Sequence, residues 1–451
     1  MPTTTIKCDS LNEGYQELIN AIRLANQESE GRQQGKIHEL LDVELVLSDP
    51  RKSVLSLPIR NMSRRYAAGE LLCYIRGTNR KEDFSFYSKA WDKLANPDGT
   101  INSAYGYRMF SARLFSPEIS ASGLIENRFH YALAQLLDNP ETKNAIVMLR
   151  DDTDIDPDHQ KDRCCTLCLC FNIRNGKLNC RTIMRSQDLW LGLPYDVFCF
   201  TRLMQIMLYN YNAACEDGKE VELGTYTHQV LNLHLYEKHW EKVKDYEPIA
   251  LNPEQGYQFP EYDAKSEQDM LALLIWEEQV RTQPATPIET HAYNLRELKL
   301  DPWSETLGSY IVNKIENRVP TPFEIEMFKR AAEEAELSKC IDRHVGCVIT
   351  TKDGDVLGQG HNTVINCNQN CHDKLKRICN VRHGEVSAIE SIPENLRALA
   401  HTLYVTLYPC FPCMQAIEKT SISEIKVKGF SHKGATGMAI LYDPEFFPKE
   451  R

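Results

Sequence analysis

The sequence reads as two successive folded domains, an α+β domain over residues 1–270 and an α/β/α sandwich over 321–451, with a connector at 271–320. Length is the first ground: 451 residues exceed what one ordinary hydrophobic core serves, so two or three domains are expected. The second is a break in the text. Between 255 and 322 the runs GYQFPEYD, RTQPATPIETH and ENRVPTPFE concentrate proline and turn formers. The third is that helix and strand signals restart after Thr321 with their own alternation.

Taken in order, Arg64 to Ile75 and Phe198 to Tyr211 space their apolar residues as helices do, while LCLCFNI and LNCRTIM read as strands. Near the break, SEQDMLALLIWEEQV predicts a helix. TPFEIEMFKRAAEEAELS then predicts a capped amphipathic helix, with Thr or Pro at its start. HVGCVITTKDGDVLGQGHN predicts a strand, a DG turn and a second strand. A helix carrying HGEVSAIESI, a strand TLYVTLY and a helix after PCFPC complete the order α-β-β-α-β-α-β of a sandwich.

Hydrophobic residues make up 42% and charged residues 25%, a globular balance. No apolar run approaches the roughly 20 residues that span a bilayer. The start, MPTTTIKCDSLNEGYQ, has neither the basic opening nor the apolar stretch of a secretion signal, so a cytoplasmic protein without a membrane partner is expected. Net charge is −11, from 52 Lys+Arg against 63 Asp+Glu, which argues against stable binding to a nucleic-acid duplex. Small anions remain compatible, since a few arginines hold one phosphate at any net charge. The 16 cysteines, in a reducing compartment, are buried thiols, metal ligands or nucleophiles before they are disulfides.

His383-Gly384-Glu385 followed by Pro409-Cys410-Phe411-Pro412-Cys413 is the most specific signal in the chain. One imidazole and two thiolates give three zinc ligands, His383, Cys410 and Cys413, and leave a fourth position open for water, as catalytic zinc requires. A Cys-x-x-Cys turn at a helix N-terminus favours negative sulfur. Glu385 stands where it can carry protons between that water and a departing amine. The other readings of the residues are a structural zinc, which would want a fourth Cys or His, and a redox pair, which would not need His383 and Glu385. The text HVGCVIT…VLGQGHN, HGEVSAIES and LYVTLYPCFPCMQAI resembles the cytidine and deoxycytidylate deaminase superfamily, most of all its deoxycytidylate branch. The resemblance implies the same three zinc ligands, Glu385 as general acid and base, and Asn362 as a contact to the substrate sugar. Gly384 departs from the family's usual alanine. Cys367, Cys371, His372 and Cys379 form an insert that binds a second, structural zinc or holds free thiols.

The stretch DRCCTLCLCFNIRNGKLNCRTIMRSQDLWLGLPYDVF is the second strong signal. Arg185-Ser186 after a strand can hold a phosphate, and a cysteine beside it is a candidate nucleophile. Read together, the text resembles the thymidylate synthase superfamily, which includes the cytidylate hydroxymethylases and brings with it an α+β fold. The resemblance implies a nucleophile at Cys165, with Cys164 in place of the family's proline. Cys168 and Cys170 alternate along a strand and are expected to pack in the core. GELLCYIRGTN implies a catalytic glutamate at Glu70, and the Arg-Ser-x-Asp motif adds Asp188 to the catalytic set. AWDKLANPDGTINSAYGYR implies Trp91 on the cofactor side and Tyr105 in the active site. NLHLYEKH implies a sugar-binding pair, His234 and Tyr236, and EGRQQGK a loop arginine, Arg32, at the phosphate with Arg185 and Ser186.

Pyrimidine C5 is a poor nucleophile, and addition of a thiolate at C6 makes it an enamine-like carbon that attacks an activated one-carbon unit. The implied donor is 5,10-methylenetetrahydrofolate beside Trp91, with Glu70 relaying protons. Asp196 stands where uridylate-using enzymes have asparagine. An ionised aspartate only accepts, which suits the 4-amino group of cytosine and repels O4 of uracil. The substrate expected is therefore dCMP or CMP. Three departures bear on the product and the assembly. The family's paired arginines, donated across a dimer, fall near Lys143-Asn144; Thr166 follows the nucleophile where synthases have histidine; and the closing tail is replaced by continuing chain. Loss of that tail favours a hydroxymethyl product over methyl, while Trp91 favours methyl. Together the halves predict a bifunctional, homodimeric enzyme with zinc in its second domain: a folate-dependent cytidylate C5 hydroxymethylase or methylase joined to a zinc cytidylate deaminase. The rival is a single-stranded nucleic-acid cytosine deaminase on an inert synthase-like scaffold, which needs a basic, aromatic groove near the zinc.

Overall fold

The computed structural model describes residues 3–25, 27–31, 35–57, 59–60, 62–110, 127–155, 162–249, 251, 258–283, 285–286, 288–312, 321–340, 344–367, 379–407, 409, 413, 416–417, 419–427 and 439–441. Contacts divide the chain into two compact units. One comprises Met1–Leu55, Met62–Thr282 and Asp301–Ser304, the other Ser56–Asn61, Gln283–Leu300 and Glu305–Arg451. The stretch 271–320, read from sequence as a connector, carries the end of the helix Ala264–Thr282 and the helices Ile288–Glu297 and Pro302–Val312. Among the described residues no helix is long and apolar enough to cross a membrane.

The first unit is built on an eight-stranded mixed sheet in the order β1-β3-β8-β6-β5-β4, with β2 paired to β3 and β7 to β8. The strands are β1 (Thr4–Cys8), β2 (Gln27–Gly31), β3 (Gly35–Leu47), β4 (Ile146–Met148), β5 (Thr166–Arg174), β6 (Lys177–Met184), β7 (Gln187–Asp188) and β8 (Glu222–Tyr236). The runs LCLCFNI and LNCRTIM are β5 and β6. Their hairpin closes through Asn175 and Gly176 at φ 53° and 68°, the left-handed pair that a two-residue turn between twisted strands demands. Leu169, Phe171 and Ile173 alternate into the core, which leaves Cys168 and Cys170 together on the other side, their sulfurs 3.7 Å apart.

Two helices position the functional side chains of this unit. The first, α1 (Arg64–Arg76), starts on Ser63, whose hydroxyl accepts from the Tyr66 N–H, and ends on Gly77 in the left-handed conformation. The second, α2 (Leu193–Ala214), opens with Pro194 in its first turn and buries Val197, Phe198, Phe200, Leu203, Met204 and Met207. Each such side chain contributes about 1.5–3 kcal/mol on leaving water. The following helix, α3 (Ala264–Thr282), is tied to α1 by charge. The buried Glu277 carboxylate accepts from Arg76 Nη2 at 2.7 Å, from Arg281 Nε at 2.7 Å and from the Tyr87 hydroxyl, and Arg281 also pairs with Asp83.

Within the second unit, α4 (Pro322–Glu336) has a complete capping box at its N-terminus. Thr321 Oγ1 accepts from the Glu324 N–H at 3.2 Å and Glu324 Oε2 accepts from the Thr321 N–H at 2.7 Å. Strands β9 (Gly346–Thr350) and β10 (Val356–His361) form the expected antiparallel hairpin. They join β13 (Thr402–Val405), β14 (Glu424–Val427) and β15 (Ala439–Leu441) in a sheet of order β10-β9-β13-β14-β15. Cys347, Ile349, Leu403 and Val405 pack with Ala388 and Ile392, the former on α5 (Gly384–Ser391). Val348 and Tyr404, one residue out of phase, pack with Met327, Phe328 and Ala331 of α4. A separate hairpin pairs β11 (Thr363–Cys367) with β12 (Cys379–Arg382).

Candidate active sites

In the first unit the turn between strand ends gathers the site. Cys165 lies just before β5, and Arg185 just after β6, and the Arg185 N–H donates to the Cys165 carbonyl at 2.9 Å. Its guanidinium donates to the carbonyls of Cys164 at 3.0 Å and Arg163 at 3.2 Å, and reaches the Cys165 sulfur at 3.5 Å. Burial pushes the Cys165 thiol up, while the charge of Arg185 pulls the other way by stabilising thiolate. Cys164 is fully buried and its thiol donates to the Thr166 carbonyl at 3.0 Å, a packing role. Arg150 also donates to the Cys164 carbonyl, at 3.1 Å.

The parallel pairing of β7 with β8 sets Asp188 beside His234. Asp188 Oδ1 accepts from the N–H groups of Trp190 and Leu191, both at 2.7 Å, and burial raises its pKa. Burial holds His234 below the usual imidazole range, and Ser186 Oγ lies 3.4 Å from its Nδ1. Tyr236 stands edge-on to His234 at 5.3 Å. Asp196, in the first turn of α2, accepts from Gln187 Nε2 at 2.8 Å, and desolvation pushes its carboxyl up to about 7. Glu70, buried on α1, accepts from the Tyr66 hydroxyl at 2.7 Å and is pushed up to about 8, by burial first and by the charge of Asp196 second. Tyr105 is buried against Phe200 and Tyr74, in hydrogen-bond contact with Thr166, and its pKa is raised by burial and by Asp196 and Cys165. Trp91 is half-buried, with its indole Nε1 donating to the Tyr66 hydroxyl at 3.1 Å.

The charge of Asp196 acts on Glu70, on Cys165 and on Tyr105, so these predicted residues share one neighbourhood. Arg32 lies outside the described residues. Tyr66 and Gln187 were not singled out from sequence. Tyr66 precedes Glu70 by four residues on a helix, which puts both on one face, a signal open to reading. Gln187 is the unspecified position of Arg-Ser-x-Asp, and only the backbone shows that it reaches Asp196.

In the second unit α5 carries the metal motif. His383 is its N-cap residue and Glu385 lies in its first turn. The Cys413 sulfur is 3.2 Å from His383 Nδ1 and 3.3 Å from Glu385 Oε2, and one donor atom from each residue lies within 4.8 Å of the others. Imidazole, thiol and carboxylate converging so closely fit a zinc ion. Cys410, the third ligand expected from sequence, lies outside the described residues. So do Cys371 and His372 of the insert; Cys367 and Cys379 are Cα partners in the β11–β12 register. Asn362 Oδ1 accepts from the Gly384 N–H at 2.8 Å, tying β10's end to the start of α5. A Cβ on Gly384 would lie 2.8 Å from the Val345 carbonyl, which gives glycine a physical reason at the position where alanine was expected.

The sequence model of the thymidylate synthase family matches residues 13–278, and that of the cytidine and deoxycytidylate deaminase zinc-binding region matches 323–428. The chain is 30% identical to the thymidylate synthase of Bacillus subtilis subsp. natto over 154 residues, 34% of this chain and 50% of that protein. It is 30% identical to the enzyme of Bacillus atrophaeus over 157 residues, 34% of this chain and 61% of that one, and to that of Bacillus phage phi3T over 157 residues, 34% and 50%. The chain thus spans between half and about three fifths of these relatives. Among solved structures, thermostable thymidylate synthase A from Bacillus subtilis aligns with 54% of this chain and 87% of its own, at 21% identity and a TM-score of 0.43. The thymidylate synthase family draws its one-carbon unit from methylenetetrahydrofolate, and the C-terminal match is to a zinc-binding region. With a family model matched over more than half its length, the chain belongs to the thymidylate synthase family, and it carries a cytidine and deoxycytidylate deaminase zinc-binding region behind that domain.

Proposed function

We propose that the protein is a bifunctional pyrimidine nucleotide enzyme that modifies C5 of a cytidylate with a folate-borne one-carbon unit and deaminates a cytidylate at a zinc site. The observation that carries the first activity is Asp196. A carboxyl stands in the pocket of Cys165 and Glu70, one oxygen engaged by Gln187, with a pKa of about 7. Ionised, it accepts from the cytosine 4-amino group; protonated, it donates to N3 as charge builds there. Either form is matched to cytosine near neutral pH.

In this reading Arg185 and Ser186, with Arg32, hold the 5′-phosphate, and His234 and Tyr236 the sugar. The Cys165 sulfur bonds to C6, and the electron pair of the C5–C6 double bond moves to C5. Methylenetetrahydrofolate, when bound on Trp91, supplies the one-carbon unit that C5 takes up. Glu70 receives and relays the C5 proton as tetrahydrofolate leaves, water adds to the exocyclic carbon so formed, and re-formation of the C5–C6 double bond expels the Cys165 thiolate, with Asp188 beside the sugar pair. The closing tail of a synthase gives way here to continuing chain, and the product proposed is 5-hydroxymethyl rather than methyl. In the second domain, read as a three-layer α/β/α sandwich, His383, Cys410 and Cys413 would hold zinc, which would supply an acidified water for attack at C4. Glu385 would move protons to the leaving ammonia, with Asn362 bordering the sugar. The enzyme acts as a cytoplasmic homodimer through the synthase-like sheet, where Met148 and Leu231 are about half exposed.

The test is mass spectrometry of the products from dCMP, CMP and dUMP, with and without formaldehyde and tetrahydrofolate. A hydroxymethylated cytidylate that needs the folate, together with a folate-independent uridylate, is expected. Absence of any C5 modification with Cys165 intact sinks the first activity, and absence of uridylate from zinc-loaded protein sinks the second.

A further inference from the structure

Three side chains form a hydrogen-bonded chain in the first unit: Trp91 Nε1 to the Tyr66 hydroxyl at 3.1 Å, and the Tyr66 hydroxyl to Glu70 Oε1 at 2.7 Å. An indole N–H donates and cannot accept, so the Tyr66 oxygen is the acceptor there, and its own O–H donates to Glu70 Oε1. With Oε1 engaged as acceptor, Oε2 is the oxygen left to carry a proton. The ring of Tyr66 is itself fixed, edge-to-face with Tyr195 at 4.6 Å, and the Tyr195 hydroxyl accepts from the Ser63 N–H at the helix cap.

We infer that Tyr66 is a positioning residue of the synthase-like site, which steers the labile proton of Glu70 onto Oε2 and couples that carboxyl to the orientation of the Trp91 indole. The inference rests on the reading of Glu70 as the proton relay and Trp91 as the folate-side ring. It adds a residue that the spacing of the motifs does not mark. Tyr66 touches neither reacting atom; it acts through its two partners. Hydrogen bonds of this kind, directional and shielded from water, hold their geometry more firmly than exposed ones.

Other groups face the Glu70 carboxyl and titrate around it. From α1 these are Tyr66, Tyr74 and Cys73, and from α2 they are Asp196 and Cys199. Tyr66 and Tyr74 lower the carboxyl's pKa by hydrogen bonding, against burial and Asp196. Removing the Tyr66 hydroxyl deletes one of the bonds that favour ionised Glu70, so its pKa moves upward. Whichever protonation state limits the rate, the limb of the pH profile belonging to Glu70 moves to higher pH.

Tritium release from C5-labelled dCMP in the presence of methylenetetrahydrofolate, followed as a function of pH in Tyr66→Phe, tests this. The full-length wild type is run first, and its failure to release tritium would count against the synthase-like reading itself rather than against Tyr66. Given a working wild type, Tyr66→Phe is expected to lose about 10- to 100-fold in kcat, with a smaller change in KM for dCMP and the Glu70 limb shifted upward. The second arm repeats the substitution in a Glu70→Gln background. If Tyr66 acts through the carboxyl, it costs several-fold less there, because coupled residues are non-additive. An unmoved pH limb in Tyr66→Phe, or an equal loss in both backgrounds, overturns the inference.

Discussion

In the synthase-like unit the reactive groups are prepared by withdrawal from water, whereas in the deaminase-like unit they are prepared by convergence. Glu70 and Asp196 carry pKa values of about 8 and about 7 because burial penalises their charged forms, with the charge of Asp196 adding to the shift at Glu70, so each can hold a proton near neutrality. His383, Glu385 and Cys413 instead bring a nitrogen, an oxygen and a sulfur within 4.8 Å at the start of a helix, an arrangement that a cation completes. The first design depends on packing and on pH; the second depends on a metal. On the proposed reading, substitutions in one unit should remove its chemistry while leaving that of the other.

The sharpest way to separate them is at the nucleophile. Cys165→Ala is expected to reduce C5 tritium release by about 10³-fold or more while deamination of dCMP persists. Deamination lost in parallel would mean that the two sites are not separable. The converse substitution, His383→Ala, should empty the metal site, with zinc per chain falling to background by plasma mass spectrometry and deamination failing with it. C5 chemistry should survive, and its disappearance would contradict the division.

A third expected effect is on stability. Glu277→Ala leaves Arg76 and Arg281 facing a buried site without their carboxylate, and breaking such a pair costs about 3–5 kcal/mol. Urea denaturation followed by tryptophan fluorescence measures it, and an unchanged midpoint would remove the network from the forces that hold α3. A fourth effect is a dependence on pH. Glu70 and Asp196 are both raised in the folded chain, so the unfolded chain ionises first as pH rises past about 4. Stability should fall from there until pH passes the folded values of about 7 and 8, then level off. Asp196→Asn should flatten part of that slope; a slope of opposite sign would contradict the burial of these carboxyls.

Much of this was open to the sequence because its signals were local. The Thr321–Glu324 capping box, the β9–β10 hairpin and the strands β5 and β6 each follow from residues near one another in the chain. Motif order also placed Cys165, Asp196 and Glu70 in one neighbourhood. What the sequence hid was long-range and directional. Nothing in the spacing shows that Gln187 turns its amide to Asp196 rather than to the backbone. Likewise Asn362, read as a sugar contact, uses Oδ1 on the Gly384 N–H, and that bond exists only because β10 ends at the start of α5. The α3 network was equally unreadable, since Arg76 and Glu277 stand 201 residues apart.

The most direct measurement compares tritium release from C5-labelled dCMP and dUMP, with methylenetetrahydrofolate present, in the wild type and in Asp196→Asn. The base reading at Asp196 predicts that the wild type prefers dCMP, and that asparagine shifts the ratio of kcat/KM values toward dUMP by about 10- to 100-fold, the worth of one or two mismatched buried hydrogen bonds. A wild type that favours dUMP, or a ratio indifferent to the substitution, would contradict it.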